Sequence, residues 1–217
     1  MSGYATAADY DSATKLCAMC ILALQTTHLL RKKEGVDAIA VFSGLGITAR
    51  EKVAIEGWNH GALEARFLLF AGGNPGKGYD HRLTIERLQE APYYLKKIEG
   101  VYTQIETQNT KTQATWVAEM AKELGAKSIG LVVSPWHAPR ALLTQLKANV
   151  NEGIKIPIII LPSFEGADFV TPESGTDEFA LIPGEMKRIL QYQEKGDVAT
   201  FEEAMDYFRW LWTESGK

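Results

Sequence analysis

The sequence predicts a three-layer α/β domain, with a mainly parallel sheet of about five strands and helices on both faces. Short apolar runs alternate with longer amphipathic stretches along the chain, which is how parallel strands and their crossover helices read. The run at Asp37–Phe42 is short and continuously apolar instead of alternating, as in a strand covered on both faces. The 217 residues are 46% hydrophobic and 23% charged, an ordinary balance for a globular chain long enough to bury one core. One domain over 1–217 is expected, with its core at 36–162.

The first element is a helix over about 12–33, where Leu16, Met19, Cys20, Ala23, Thr27 and Leu30 recur at the spacing of one helical face. Gly35 stops it, with Arg31, Lys32 and Lys33 well placed in the last turn. A strand follows at Asp37–Phe42, and further apolar runs lie at 67–71, 101–105, 128–133 and 156–161. Helical patterns fill the gaps at about 48–60, 81–97, 110–124 and 139–150. Pro92 is expected to break the second of these, since an interior proline loses a hydrogen bond and clashes. The stretch 162–177 reads as a long loop, and helices at about 184–195 and 200–212 close the chain. Phe201, Met205, Phe208 and Trp212 read as the apolar anchor of the last helix.

The formal net charge is −4 at pH 7, without the basic footprint of a nucleic-acid-binding surface. Cys17 and Cys20 lie on the first helix, where core packing explains them better than redox chemistry. The apolar stretch Cys17–Leu24 is far shorter than the roughly 20 residues of a membrane span. Asp9 and Asp11 precede it and the basic residues follow, the reverse of a secretory signal. The expectation is a cytoplasmic protein with no nucleic-acid or membrane partner. Homo-oligomerisation is left open.

In a parallel sheet, every loop that follows a strand emerges on one edge, where ligands bind. Those loops are Ser43–Gly46, Gly72–Gly76, Glu106–Asn109, Ser134–His137 and Ser163–Gly166, rich in Gly, Ser, Asn and His. Gly44-Leu45-Gly46-Ile47-Thr48-Ala49 fits the dinucleotide pattern. The acidic residue that pattern requires at the end of the second strand is missing, however. Gly72, Gly73 and Asn74 stand there, and Glu64 precedes the strand, which argues against NAD and an ordinary Rossmann methyltransferase. A more general reading remains, in which open backbone N–H groups at a helix start, with Arg50 beside them, receive an anion. The alternative is a tight strand-to-helix turn with a solvated arginine.

Ser134-Pro-Trp-His137-Ala-Pro-Arg140 is the densest chemistry in the chain. His137 and Arg140 are three apart and share a face if the helix starts at the loop. An arginine fork beside an imidazole suits an anionic oxygen, with His137 as proton donor. Ser134 lacks the surroundings of a nucleophile elbow. Glu106 is the one carboxylate immediately at a strand end on this edge and is the expected general base, while Asn109 and Thr110 are helix caps or ligand contacts. His28 and His60 read as structural, and His81 could reach the site. No His/Cys/Asp/Glu set has metal-ligand spacing, so no metal is expected.

Taken in order, Ser43–Gly46, Arg50, Gly72-Gly73, Glu106 with Asn109-Thr110, and Ser134-x-x-His137-x-x-Arg140-Ala141 resemble the motifs of the YdcF-like family, which includes SanA- and ElyC-type proteins. The resemblance spans about 37–146. It departs at Thr112-Gln113, where the family usually carries Glu-Asn, and in showing no SanA-type membrane anchor. It implies a Rossmann-like fold and, for one branch, S-adenosylmethionine binding. The readings carried forward are an enzyme, hydrolase or transferase, on a phosphorylated or nucleotide-type molecule; an S-adenosylmethionine-binding protein; and a non-catalytic interaction protein. The cofactor is unassigned beyond that resemblance.

Overall fold

A computed structural model describes residues 35–44, 47–61, 64–72, 82–107, 109–164 and 177–215, together with positions 15, 17, 19–21, 23, 26, 170 and 175. The strands are β1 (Ala38–Phe42), β2 (Phe67–Ala71), β3 (Val101–Gln104), β4 (Ile129–Val133) and β5 (Ile158–Pro162). The helices are α1 (Ala49–His60), α2 (Ile85–Gln89), α3 (Thr110–Glu123), α4 (Ala138–Asn151), α5 (Glu178–Glu194) and α6 (Phe201–Ser215). The five strands pair in parallel in the order β3-β2-β1-β4-β5. This is the three-layer, Rossmann-like α/β arrangement that the alternating pattern predicts.

The strands are apolar on both sides because both sides are covered. Ala38, Ala40, Phe42, Leu69, Ile129, Leu131 and Val133 pack with α3, α4 and α6 on one face. Ile39, Val41, Leu68, Phe70, Val132 and Leu161 pack with Ala54, Ile55 and Trp58 of α1 on the other. Successive residues of a strand thus serve opposite layers, as the two-residue period of the pleat requires. Gly130 is where β4 runs closest to its neighbours: a Cβ there would stand 2.7 Å from Leu161 Cδ1 and 2.9 Å from Val36 Cγ2.

Several boundaries differ from the sequence reading. The helix expected over 81–97 is reduced to Ile85–Gln89, capped by the Thr84 hydroxyl, which accepts from the Arg87 N–H. It stops before Ala91, whose helical conformation the following Pro92 disfavours. The helix expected from Gly184 begins at Glu178, because Asp177 caps it by accepting from the Ala180 N–H at 2.8 Å and the helix runs on through Pro183. Along α6 the buried side is Ala204, Tyr207, Phe208 and Leu211. Phe208 alone of the expected stripe is fully buried, and Trp212 is 46% exposed. At the N-terminus Met19, Cys20 and Ala23 join the core, and burial beside Cys17 pushes the Cys20 thiol up to about 11. Leu16, Thr27, Leu30 and His28 lie outside the described residues. Among those described, no helix is long and apolar enough to cross a membrane.

Candidate functional site

The strand order reverses between β1 and β4. The chain steps from β1 outward to β2 and β3, then returns to lay β4 on the other side of β1. Helices that leave the carboxyl ends of β1 and β4 therefore diverge to opposite faces, and the gap between them is the usual ligand crevice of an open α/β sheet. Ser43 and Ser134 sit on its two sides.

Arg50, on the first turn of α1, spans this gap. Its Nη1 donates to the Phe42 carbonyl at 2.7 Å and its Nε to Ser134 Oγ at 3.1 Å. The guanidinium is buried and lies 5.8 Å from the Trp136 ring centroid. Gly44 makes room for it, since a Cβ there would approach Arg50 Nη1 to 3.1 Å. The loop turns tightly, with the Ile47 N–H donating to the Gly44 carbonyl. Gln113 of α3 fastens the same edge from the other side: its Nε2 donates to the carbonyls of Ser43 and Ala71. Gly72 carries the strand ladder on by donating to Gln104, and its own carbonyl accepts from the Thr107 hydroxyl.

His137 and Arg140 occupy adjacent turns because α4 begins directly after the loop, with Pro139 in its first turn. Both converge on Glu185 of α5, a residue that sequence reading assigned no role. His137 Nδ1 lies 2.9 Å from Glu185 Oε2, Arg140 Nε donates to the same oxygen at 2.6 Å, and Arg140 Nη2 donates to Oε1 at 3.1 Å. Arg188 adds a bond from Nη1 to Oε1 at 2.7 Å, and Arg140 Nη1 reaches Thr110 Oγ1 at 3.1 Å. Glu185 thus joins His137, Arg140 and Arg188, Arg140 carries the bonds on to Thr110, and the His137 N–H donates to the carbonyl of Ser134, whose hydroxyl Arg50 holds.

Burial pushes the His137 imidazole down to about 4, helped by the charges of Arg140 and Arg50 and opposed by Glu185. The ring is therefore neutral near pH 7 and donates its Nδ1–H to Glu185, leaving Nε2 as an acceptor. Burial acts to raise the Glu185 carboxyl, but the bonds from His137 and Arg140 outweigh it and hold the group well below the usual carboxylate range. A buried carboxylate on a bidentate arginine is a rigid orienting group for an imidazole.

Three further polar groups at this edge are buried with no hydrogen-bond partner among the described residues: Ser43 Oγ, Ser163 Oγ and Trp136 Nε1. Such groups are uncommon in folded proteins, and they concentrate where a ligand or water completes them. Glu106 stands apart. It is exposed, its N–H donates to Gln104 Oε1, and it borders a shallow groove with Lys111, Thr112 and Trp116. It shares no hydrogen bond or ion pair with His137 or Arg140. Asn109 caps α3 in a reciprocal pair with Thr112. His60 is exposed at the end of α1, with Nδ1 2.9 Å from the Glu56 carbonyl. Gly46, Gly73, Asn74 and His81 lie outside the described residues. Among the described residues no cluster of three His, Cys, Asp or Glu side chains suits a metal ion.

No protein-family model matches this chain, and comparison with curated proteins and with solved structures gives no match.

One signal in the sequence pointed toward Glu185. Arg50, His137 and Arg140 were all assigned to one edge, and buried guanidinium groups require a buried counter-charge. Glu106 is the carboxylate that the strand pattern places immediately at a strand end on this edge. Glu185 arrives instead from a helix that packs across the edge.

Proposed function

We propose that this chain is a small-molecule enzyme whose ligand, a phosphorylated or nucleotide-type anion, sits at the carboxyl edge of the sheet between β1 and β4. The observation that carries this reading is the neutral, buried His137 held through Nδ1 by Glu185. Any buried imidazole needs a partner for its N–H; here that partner also fixes one nitrogen so that the other is aimed, as a proton-transfer group requires. In the resting state His137 Nε2 accepts, so the residue enters the reaction as a base and leaves it as an acid. Glu185 stabilises the imidazolium in between.

Arg50, buried, and Arg140, half-buried and paired with Glu185, place guanidinium groups at the edge, and such donors in a medium of low dielectric suit an anionic ligand. Their bonds to Phe42, Ser134 and Glu185 also mean that the crevice is already assembled before a ligand arrives.

A thermal-shift panel of nucleotides, sugar phosphates and S-adenosylmethionine tests the reading. A ligand at 100 times its dissociation constant adds about 2.7 kcal/mol. Stabilisation by phosphate-bearing compounds that survives in His137→Asn, combined with loss of turnover in that variant, supports it. Stabilisation by S-adenosylmethionine alone, or by no compound of the panel, refutes it.

A further inference from the structure

The paired registers of the central strands have a consequence at their ends. Val41 pairs with Val132, and Val133 with Pro162. Carried past the strand ends, these registers set Ser43, Ser134 and Ser163 side by side across β1, β4 and β5. The ladder does continue there, because the Ser43 N–H donates to Ala71 and the Ser163 N–H to Val133. By the alternation of the pleat, all three hydroxyls lie on the face covered by α1, and Arg50 of α1 does reach Ser134 Oγ.

The three serines are 7%, 0% and 1% exposed. Among the described residues, Ser43 Oγ and Ser163 Oγ have no hydrogen-bond partner. Ser134 Oγ accepts from Arg50 and, among the described residues, donates to nothing. Three buried O–H donors in a row, backed by a guanidinium, lack a matching acceptor.

We propose that this serine row binds a diphosphate group. The inference rests on the anionic-ligand reading above and names the part of the ligand that the row takes. The spacing selects the length of the anion. Neighbouring strands are about 4.8 Å apart, so the outer serines are about 10 Å apart. One phosphate, with a hydrogen bond of about 2.7 Å at either end, falls short of that span, whereas the terminal oxygens of a diphosphate reach it. Ser134 then donates to the middle of the group, where Arg50 lies closest.

Titration of the full chain with inorganic pyrophosphate and with orthophosphate, followed by calorimetry, tests this. Pyrophosphate is expected to bind at least tenfold more tightly than orthophosphate. Ser163→Ala and Ser43→Ala are each expected to weaken pyrophosphate about tenfold, as loss of a hydrogen bond to a charged group does. Both variants should melt at or slightly above the wild-type temperature without ligand, because the deleted hydroxyls bond nothing. Equal affinity for the two anions, or wild-type pyrophosphate affinity in Ser163→Ala, overturns the serine row while nucleotide binding by wild type keeps the broader reading alive. Absence of binding by pyrophosphate, orthophosphate and nucleotides alike overturns both.

Discussion

His137 Nδ1 and Glu185 Oε2 are 2.9 Å apart across 48 residues of sequence, and both side chains are about 95% buried (5% and 4% exposed). The contact joins the first turn of α4 to the first half of α5. It makes α5 part of this cluster, since without Glu185 the His137 imidazole and the Arg140 guanidinium would lose their shared partner. Glu185 therefore ties α4 to α5 through one buried side chain.

That dependence is measurable as a coupling. Glu185→Gln leaves Arg140 facing an uncharged amide, and Arg140→Gln leaves a buried carboxylate with Arg188 and His137 alone. Each single variant should lose about 3 kcal/mol in urea unfolding, as expected when one partner of a buried pair is removed. The double variant should lose less than the sum by about 1–3 kcal/mol. Strict additivity would mean that the two groups do not depend on one another.

Acid should destabilise the protein in two steps. His137 is held at about 4 against an ordinary 6.5, so between those values the unfolded chain takes up a proton that the folded one refuses. Stability therefore falls as pH drops from 6.5 toward 4, by roughly 3 kcal/mol across the window. Glu185 is depressed below its ordinary 4.5, so its contribution is complete above that value and is lost only at lower pH. His137→Asn retains a donor for Glu185 and removes the first step. An unchanged pH profile between 6.5 and 4 in that variant would contradict the neutral, buried imidazole.

The central strands were legible because each is a short apolar run, and a strand covered on both faces cannot look otherwise, whereas the edge strand β3, Val-Tyr-Thr-Gln, is half polar and only partly buried. The observed β1, Ala38–Phe42, lies inside the run read as Asp37–Phe42, and β2 coincides with its run at 67–71. Strand order was not legible, and with it the crevice between Ser43 and Ser134, since no local pattern in the sequence says that β4 returns beside β1. The same limit hid Glu185. Its partners His137 and Arg140 announce themselves by their spacing on one helix, while the carboxylate that pairs with them is fixed by how α5 packs. On α6 the aromatic residues suggested one face, yet Ala204 and Leu211 define the buried one. Large side chains such as Trp212 can shield the rim of a core without entering it.

At the outer edge of the sheet, Tyr207 of α6 supplies what a neighbouring strand would have supplied. Its hydroxyl accepts from the Ile158 N–H at 2.6 Å, and burial pushes the phenol well above its ordinary value. Tyr207→Phe keeps the ring and orphans a buried N–H. Loss of about 1–3 kcal/mol is expected, with ligand affinity at the crevice unchanged. A neutral effect on unfolding would show that the hydroxyl is dispensable to β5.

Arg50 tests whether the crevice depends on geometry or on charge. Two of its bonds diverge, one to the backbone of β1 and one to the loop after β4, and a planar fork can make both at once. A lysine keeps the charge but presents one compact ammonium, so Arg50→Lys must give up either Phe42 or Ser134. With one charged hydrogen bond lost in a buried setting, unfolding should cost about 2 kcal/mol less than in wild type. If the guanidinium aligns Ser134 with its neighbours, anion affinity should also fall in Arg50→Lys although the positive charge remains. A variant that loses stability but keeps full affinity would assign Arg50 to the fold alone. One that loses neither would mean that charge at this position suffices and that the bridge across the strand ends is incidental.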